Sequence, residues 1–243
     1  MKNISRSSKV PLYFQLYEIL HDQIRDGIWK PEVMLPTENE LENRYQLSRA
    51  TVRQAFELLV NQGLVYRRRG QGTFVSRPAF DQNINRIISF WDDMQQRGLI
   101  PGTRVLSGEL IQASEDVVES LEIEANQELA SLVRLRLADD EPLSVEHSLL
   151  VHNMCPGILD QDYANNSLRK VLADQYNIHI TNAKQKIRAV PATKNLANLL
   201  DVDIDAPLLH IDRISYTEEG TPIEYLRINL RGDRYTFHSV LRE

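Results

Sequence analysis

A chain of 243 residues, 42% hydrophobic and 26% charged, can build one large core or two smaller ones, and it holds no apolar run near the ~18 residues a membrane span needs. Its lone cysteine, Cys155, excludes an internal disulfide, and the basic start MKNISRSSKVPLYF lacks the apolar core of a signal peptide, so a reduced, cytoplasmic protein without membrane contact is expected. The net charge of −6 is unevenly spread, since residues 1–77 carry 12 Lys+Arg against 8 Asp+Glu, a local +4, and residues 78–243 carry −10. Such asymmetry suggests a nucleic-acid-facing module joined to a domain with another task.

In chain order, Leu12, Leu16, Ile19, Leu20 and Ile24 recur at helical spacing, with Pro11 before them and Gly27 as a stop. Thr37-Glu38-Asn39-Glu40 is a capping box, which predicts a short helix over Glu38–Tyr45 that buries Leu41 and Tyr45. Gln46-Leu47-Ser48 makes a tight turn, and Ser48 caps a third helix from Arg49 to about Gln62 with Val52, Ala55, Phe56 and Leu59 on one stripe. Leu64–Ser76 reads as a hairpin around a basic turn, Arg67-Arg68-Arg69-Gly70-Gln71-Gly72. Helix, helix, turn, helix, ribbon is the order of a winged helix-turn-helix. Pro78 breaks this pattern, and 78–85 is expected to be a linker.

Beyond it, Ile84–Gly98 looks helical through Ile87, Ile88, Trp91 and Met94. Strands are predicted over Thr103–Ala113, Glu128–Ala138, Leu143–Leu150, Ala183–Val190, Leu208–Thr217, Ile223–Leu230 and Tyr235–Val240, and helices over Glu115–Leu121, Leu168–Tyr176 and Leu196–Leu200. Turns at Asp139–Pro142 and Glu218–Pro222 imply antiparallel pairing, so the second domain, 86–243, is α+β around an antiparallel sheet.

The start of a recognition helix meets base edges in the major groove. Here it presents Ser48, Arg49, Thr51 and Arg53, and arginine pairs with guanine O6 and N7. Ser48, Thr51 and free helix N–H groups suit phosphates, while the Arg67–Gly70 turn concentrates positive charge beside the minor groove. Exposed arginines are usually just a solvated face, and it is their combination with the short turn and the basic ribbon that points to DNA. Gly70-Gln71-Gly72 lacks the third glycine and the following helix of a dinucleotide fingerprint.

Residues 10–76 resemble the DNA-binding domain of the GntR family of bacterial regulators, through Pro11-Leu12-Tyr13, Leu35-Pro36-Thr37-Glu38-Asn39-Glu40-Leu41, Ser48-Arg49-Ala50-Thr51-Val52-Arg53-Gln54-Ala55 and Leu64–Val75. The resemblance implies base or backbone contacts by Arg49 and Arg53, phosphate contacts by Ser48 and Thr51, and a wing contact by Gly70 and its neighbours. The full DNA-facing set is Thr37, Ser48, Arg49, Thr51, Arg53, Arg67, Arg68, Arg69, Gly70 and Gln71. Asn39 departs from the Arg that many members carry there.

Residues 84–243 resemble the UTRA effector domain of the HutC subfamily, which shares its fold with chorismate lyase. The resemblance rests on Arg134–Leu143, Glu146-His147-Ser148, Gly220–Tyr225, Arg231–Phe237 and Ile88-Ser89-Phe90. Arg134 and Arg136, two apart in a strand, share a sheet face suited to a phosphate or carboxylate; the same spacing also fits an ordinary surface ion pair with Glu146 across the hairpin. Likeness to N-acetylglucosamine-utilisation repressors implies phosphate on Arg134, Arg136 and Ser89, with Glu146, Glu224 and Tyr235 on the polar body; Phe90 completes the expected site. Relatives sense urocanate, sugar phosphates, phosphonates and amino sugars, and a phosphorylated sugar is the first expectation.

An enzyme is the main rival, but Cys155 with His152 forms no catalytic set, and no cofactor or metal is expected. A purely architectural DNA-binding protein whose second domain only dimerises is the third. The expected mechanism is a homodimer joined through the C-terminal domains on a palindromic double-stranded DNA operator, with a small anionic effector acting through the 78–85 linker.

Overall fold

The computed structural model describes residues 4–241 apart from 69, 78 and 165. Arg69 of the expected wing and Pro78 of the expected linker therefore lie outside the described residues. The chain forms two compact units that divide after Ala79.

The first unit holds helices α1 (Leu12–Arg25), α2 (Glu38–Tyr45) and α3 (Arg49–Asn61), followed by strands β1 (Val65–Arg68) and β2 (Gly72–Val75). Its core gathers Leu16 and Leu20 of α1, Leu41 of α2, Val52, Phe56 and Leu59 of α3, and Val65 and Val75 of the ribbon. The capping box forms as its spacing requires: Glu40 N–H donates to Thr37 Oγ1 (3.3 Å) and Thr37 N–H to Glu40 Oε2 (2.8 Å). Gln46 ends α2 in the left-handed region (φ 53°), and Leu47 drops into the core, so α3 starts two residues later. Tyr45 is only half-buried. The expected six-residue ribbon turn shrinks, because β1 runs on to Arg68, which pairs with Gly72. A third segment joins the ribbon, with Leu35 N–H bonded to Thr73 O and Val75 N–H to Val33 O.

The second unit is built on a six-stranded antiparallel sheet in the order β4-β5-β6-β9-β8-β7. Its strands are β4 (Pro101–Gln112), β5 (Glu128–Ala138), β6 (Glu141–Val151), β7 (Asn182–Pro191), β8 (Pro207–Tyr216) and β9 (Pro222–Arg231). Two three-stranded meanders thus meet along β6 and β9. Helices α4 (Phe90–Gln96), α5 (Glu115–Leu121), α6 (Leu168–Tyr176) and α7 (Lys194–Leu200) surround it. Two stretches depart from expectation. Residues 80–83 of the expected linker are strand β3 (Phe80–Asn83), paired in parallel with β10 (Tyr235–His238), because Phe80 packs against Tyr235 and buries both rings. Residues 84–89 of the expected helix are not helical: Ser89 accepts from Asp92 N–H and so starts α4 only at Phe90.

Two β-bulges decide which side chains share a face. The β5–β6 loop is two residues, Asp139 and Asp140, both at positive φ (47° and 65°), shorter than the four-residue turn expected. Pro142 cannot donate to the ladder, and Leu143 is left unpaired, so the register shifts and Arg134 stands opposite Glu146. Without that extra residue Val145 would face Arg134, and Glu146 would point to the other side of the sheet. The β8–β9 pair repeats the device: Pro222 starts β9, Ile223 is skipped, and Glu224 lies opposite Ser215. Among the described residues, no helix is long and apolar enough to cross a membrane.

Candidate DNA-facing surface and effector cavity

In the first unit, α3 turns Val52, Ala55, Phe56 and Leu59 inward and leaves Arg49 and Arg53 exposed. Arg49 is 71% exposed and lies 3.5 Å from Glu38, an ion pair weak enough at a surface to be exchanged for another anion. The N-termini of α2 and α3 and the ribbon border one open cleft, lined by Thr37, Asn39, Arg49, Arg67, Gly70 and Gln71 among others. The unpaired N–H groups at two helix starts give that cleft an anion preference. The hydroxyls of the expected DNA-facing set have structural work. Thr37 closes its capping box, and Ser48 Oγ accepts from Thr51 N–H (3.2 Å) and pairs with Thr51 Oγ1 (2.8 Å). Arg68 is engaged as well. It lies over the Tyr66 and Phe74 rings (5.3 and 5.0 Å) and reaches Glu32 (3.4 Å), which also accepts from the Tyr66 hydroxyl.

In the second unit, Ser89, Phe90, Arg134, Arg136, Glu146, Glu224 and Tyr235 all line one cavity of about 110 Å³. At about 30 Å³ per water, that is room for roughly four waters. Its floor is the sheet face of β5, β6, β8 and β9, and its other walls come from residues 87–91, the start of α6, and Tyr235. Arg134 is 1% exposed, donating from Nη2 to Ser148 Oγ (2.9 Å) and lying 3.1 Å from Glu146. Arg136 donates from Nε to Glu146 Oε2 (2.8 Å) and from Nη1 to Thr103 (2.8 Å), and stacks over Phe90. The ion pairing with Glu146 anticipated from spacing does form, but in the interior rather than at the surface, where desolvation makes it costly. Burial first, and Arg136 second, push the Arg134 guanidinium down to about 10. Burial would raise the Glu146 carboxyl, yet Arg136 and Arg134 hold it below the usual carboxylate range. Burial raises the Tyr235 phenol, which stays a protonated donor.

Among the described residues, four buried polar atoms on these walls have no partner: Nε and Nη1 of Arg134, Oγ of Ser144 and the hydroxyl of Tyr235. Each such group costs about 1–3 kcal/mol when left unsatisfied. Among the described residues, the charged ones lining the cavity are Arg134, Arg136, Arg169, Arg213, Glu146 and Glu224, a net +2. A small polar anion would satisfy both the donors and the charge.

Sequence reasoning missed Arg169, Arg213, Ser144, Ser167 and Ser215 on these walls. Arg213 and Ser215 carried a usable signal, since they alternate in a predicted strand as Arg134 and Arg136 do. Ser167 stands directly before a predicted helix, and its side chain makes no capping bond. The other pair weighed, Cys155 and His152, offers no nucleophile: the thiol is buried, donates to Val151 O, and burial lifts it to about 12.

Comparison with known proteins places both units. The family described as "Bacterial regulatory proteins, gntR family" matches residues 12–75, and the UTRA domain matches residues 96–236. The HTH-type transcriptional repressor NagR of Bacillus subtilis (strain 168) is 37% identical over 97% of this chain and 96% of its own length. The "Probable fructoselysine utilization operon transcriptional repressor" of Escherichia coli O157:H7 is 28% identical over 97% of each. Among solved structures, PhnF from Mycobacterium smegmatis superposes with a TM-score of 0.68 at 26% identity, over 93% of this chain and 98% of that one.

Proposed function

The chain belongs to the gntR family of bacterial regulatory proteins and carries a UTRA domain, and from that premise we propose that it is a repressor that lets go of its operator when a phosphorylated sugar fills the cavity of the second unit. Residues 1–77 are its operator-binding part, with Arg49 and Arg53 reading bases, the capped starts of α2 and α3 meeting phosphates, and Arg67, Gly70 and Gln71 at the wing. Residues from 86 onward bind the effector and join two copies, so that two recognition helices meet a palindrome about one helical turn apart.

The observation that carries the effector assignment is the cluster of four unpartnered polar atoms on the walls of a cavity with net charge +2. A phosphate monoester, close to −2 at neutral pH, balances that charge. Sugar hydroxyls can both donate to Glu146 and Glu224 and accept from Tyr235. The relative named for fructoselysine utilisation supports a sugar-derived ligand.

A thermal-shift panel of hexose and amino-sugar phosphates, their unphosphorylated parents, phosphonates and urocanate tests this. A phosphorylated sugar should stabilise the protein by about 2.7 kcal/mol at a hundredfold excess over Kd, and its parent sugar should do nothing. Stabilisation by urocanate or a phosphonate alone would overturn the sugar-phosphate assignment.

A further inference from the structure

Residues 84–89 form a strap between β3 and α4, and Ile87, Ile88 and Ser89 of that strap line the cavity. Two side chains grip its backbone carbonyls from far along the chain. Arg169 Nη1 donates to Ile87 O (3.2 Å), while its Nη2 donates to Ile180 O (2.6 Å). Gln185 Nε2 donates to Ile84 O (3.3 Å), and Gln185 is itself fixed by Arg213, whose Nε and Nη2 both donate to Gln185 Oε1 (3.1 and 2.8 Å). Arg169 and Arg213 line the cavity, and Gln185 does not. Arg134 and Arg136 already hold a carboxylate between them, whereas the donors of Arg169 and Arg213 go to neutral oxygens. A hydrogen bond to an anion is about twice as strong as one to a neutral acceptor, so an anion entering the cavity competes well for these two guanidiniums.

We propose that Arg169 and the Arg213–Gln185 pair are catches on the 84–89 strap, and that an anion in the cavity opens them by drawing the guanidiniums away from their neutral oxygen acceptors. This rests on the effector reading above. Gln185 is a positioning residue, acting on the ligand's site only through Arg213 and Ile84. The strap continues backwards into β3, which begins at Phe80, the residue after the first unit ends. Release of the strap therefore acts on the segment that leads to the DNA-binding unit.

A catch that favours the closed strap has opposite effects on the two ligands. Gln185→Ala in the full-length protein should weaken operator binding and tighten binding of N-acetylglucosamine 6-phosphate. Each change should be roughly two- to tenfold, the scale of one hydrogen bond's net contribution. Hydrogen exchange of the 84–90 peptide should quicken in the ligand-free variant, and in the unmodified protein when the sugar phosphate is added to saturation. A fall in both affinities together would mark a plain structural defect and overturn the proposal, as would unchanged strap exchange in Gln185→Ala. Absence of calorimetric heat with either N-acetylglucosamine 6-phosphate or inorganic phosphate would strike the cavity reading and the anion trigger with it. An unchanged strap in the variant strikes the catch alone.

Discussion

Arg134 is the residue in which stability and function pull apart. It is fully buried, has two nitrogens, Nε and Nη1, without a partner among the described residues, and shares Glu146 with Arg136. Removing one partner of a buried ion pair destabilises by about 3–5 kcal/mol when the other charge is left alone. Glu146 keeps Arg136 when Arg134 is replaced, so Arg134→Met should cost less, about 1–3 kcal/mol in denaturant titrations, for the Ser148 and Glu146 contacts it loses, while effector affinity falls at least about tenfold, the scale of one charge-assisted bond. The protonation of Arg134 gives a second check. Its folded value of about 10 lies below the ordinary 12.5, so the folded chain binds fewer protons than the unfolded one between those limits. The penalty on stability is thus fully present below pH 10 and eases as pH rises further. Effector affinity should run the other way, falling about twofold from pH 8 to pH 10, where about half of the guanidinium has lost its proton. The phosphate, with its second ionisation near 6, does not change in that window. Calorimetry across it would show a flat affinity if Arg134 does not hold the anion.

At the scale of elements, the turn after β9 explains why a glycine stands at 232. A Cβ there would lie 2.5 Å from the Pro207 carbonyl oxygen, a backbone atom that cannot swing away, while Gly232 N–H donates to that same oxygen. Gly232→Ala should cost about 1–3 kcal/mol of stability, measurable as a lower denaturation midpoint. In α3, Arg53→Ala should weaken operator binding by about 1–3 kcal/mol at fixed salt and relax specificity at one base position. A loss uniform over all sequences would make Arg53 a phosphate contact instead. Elements with local signals were legible: the Thr37 capping box and Ser48 bracket α2 and the start of α3, and β5, α5 and α6 have the limits their periodicity implied. What failed depended on distant partners. Phe80–Asn83 is too short and polar to read as a strand, and it becomes one only by pairing with Tyr235–His238, some 155 residues away. Ile87 and Ile88 mimic a helix stripe because both face the cavity. The bulges after Pro142 and Pro222, which bring Glu146 and Glu224 to the cavity face, follow from pairing geometry that alternation alone does not encode.

Over the whole molecule, the two units divide the charge as they divide the work: the net positive part carries the exposed Arg49 and Arg53, and the net negative part hides a cationic cavity inside itself. Coupling between them requires the effector to bind one arrangement of the protein better than the other; equal affinity for both would shift nothing. The most direct measurement is fluorescence anisotropy of a labelled operator with the full-length protein and with Arg134→Met, each titrated with N-acetylglucosamine 6-phosphate at constant salt. Operator affinity should fall at least about tenfold in the unmodified protein, which needs only about 1.4 kcal/mol of differential binding, and hold steady in the variant. A sugar phosphate that binds the protein yet leaves operator affinity untouched, or that releases DNA equally from the variant, would contradict control through this cavity.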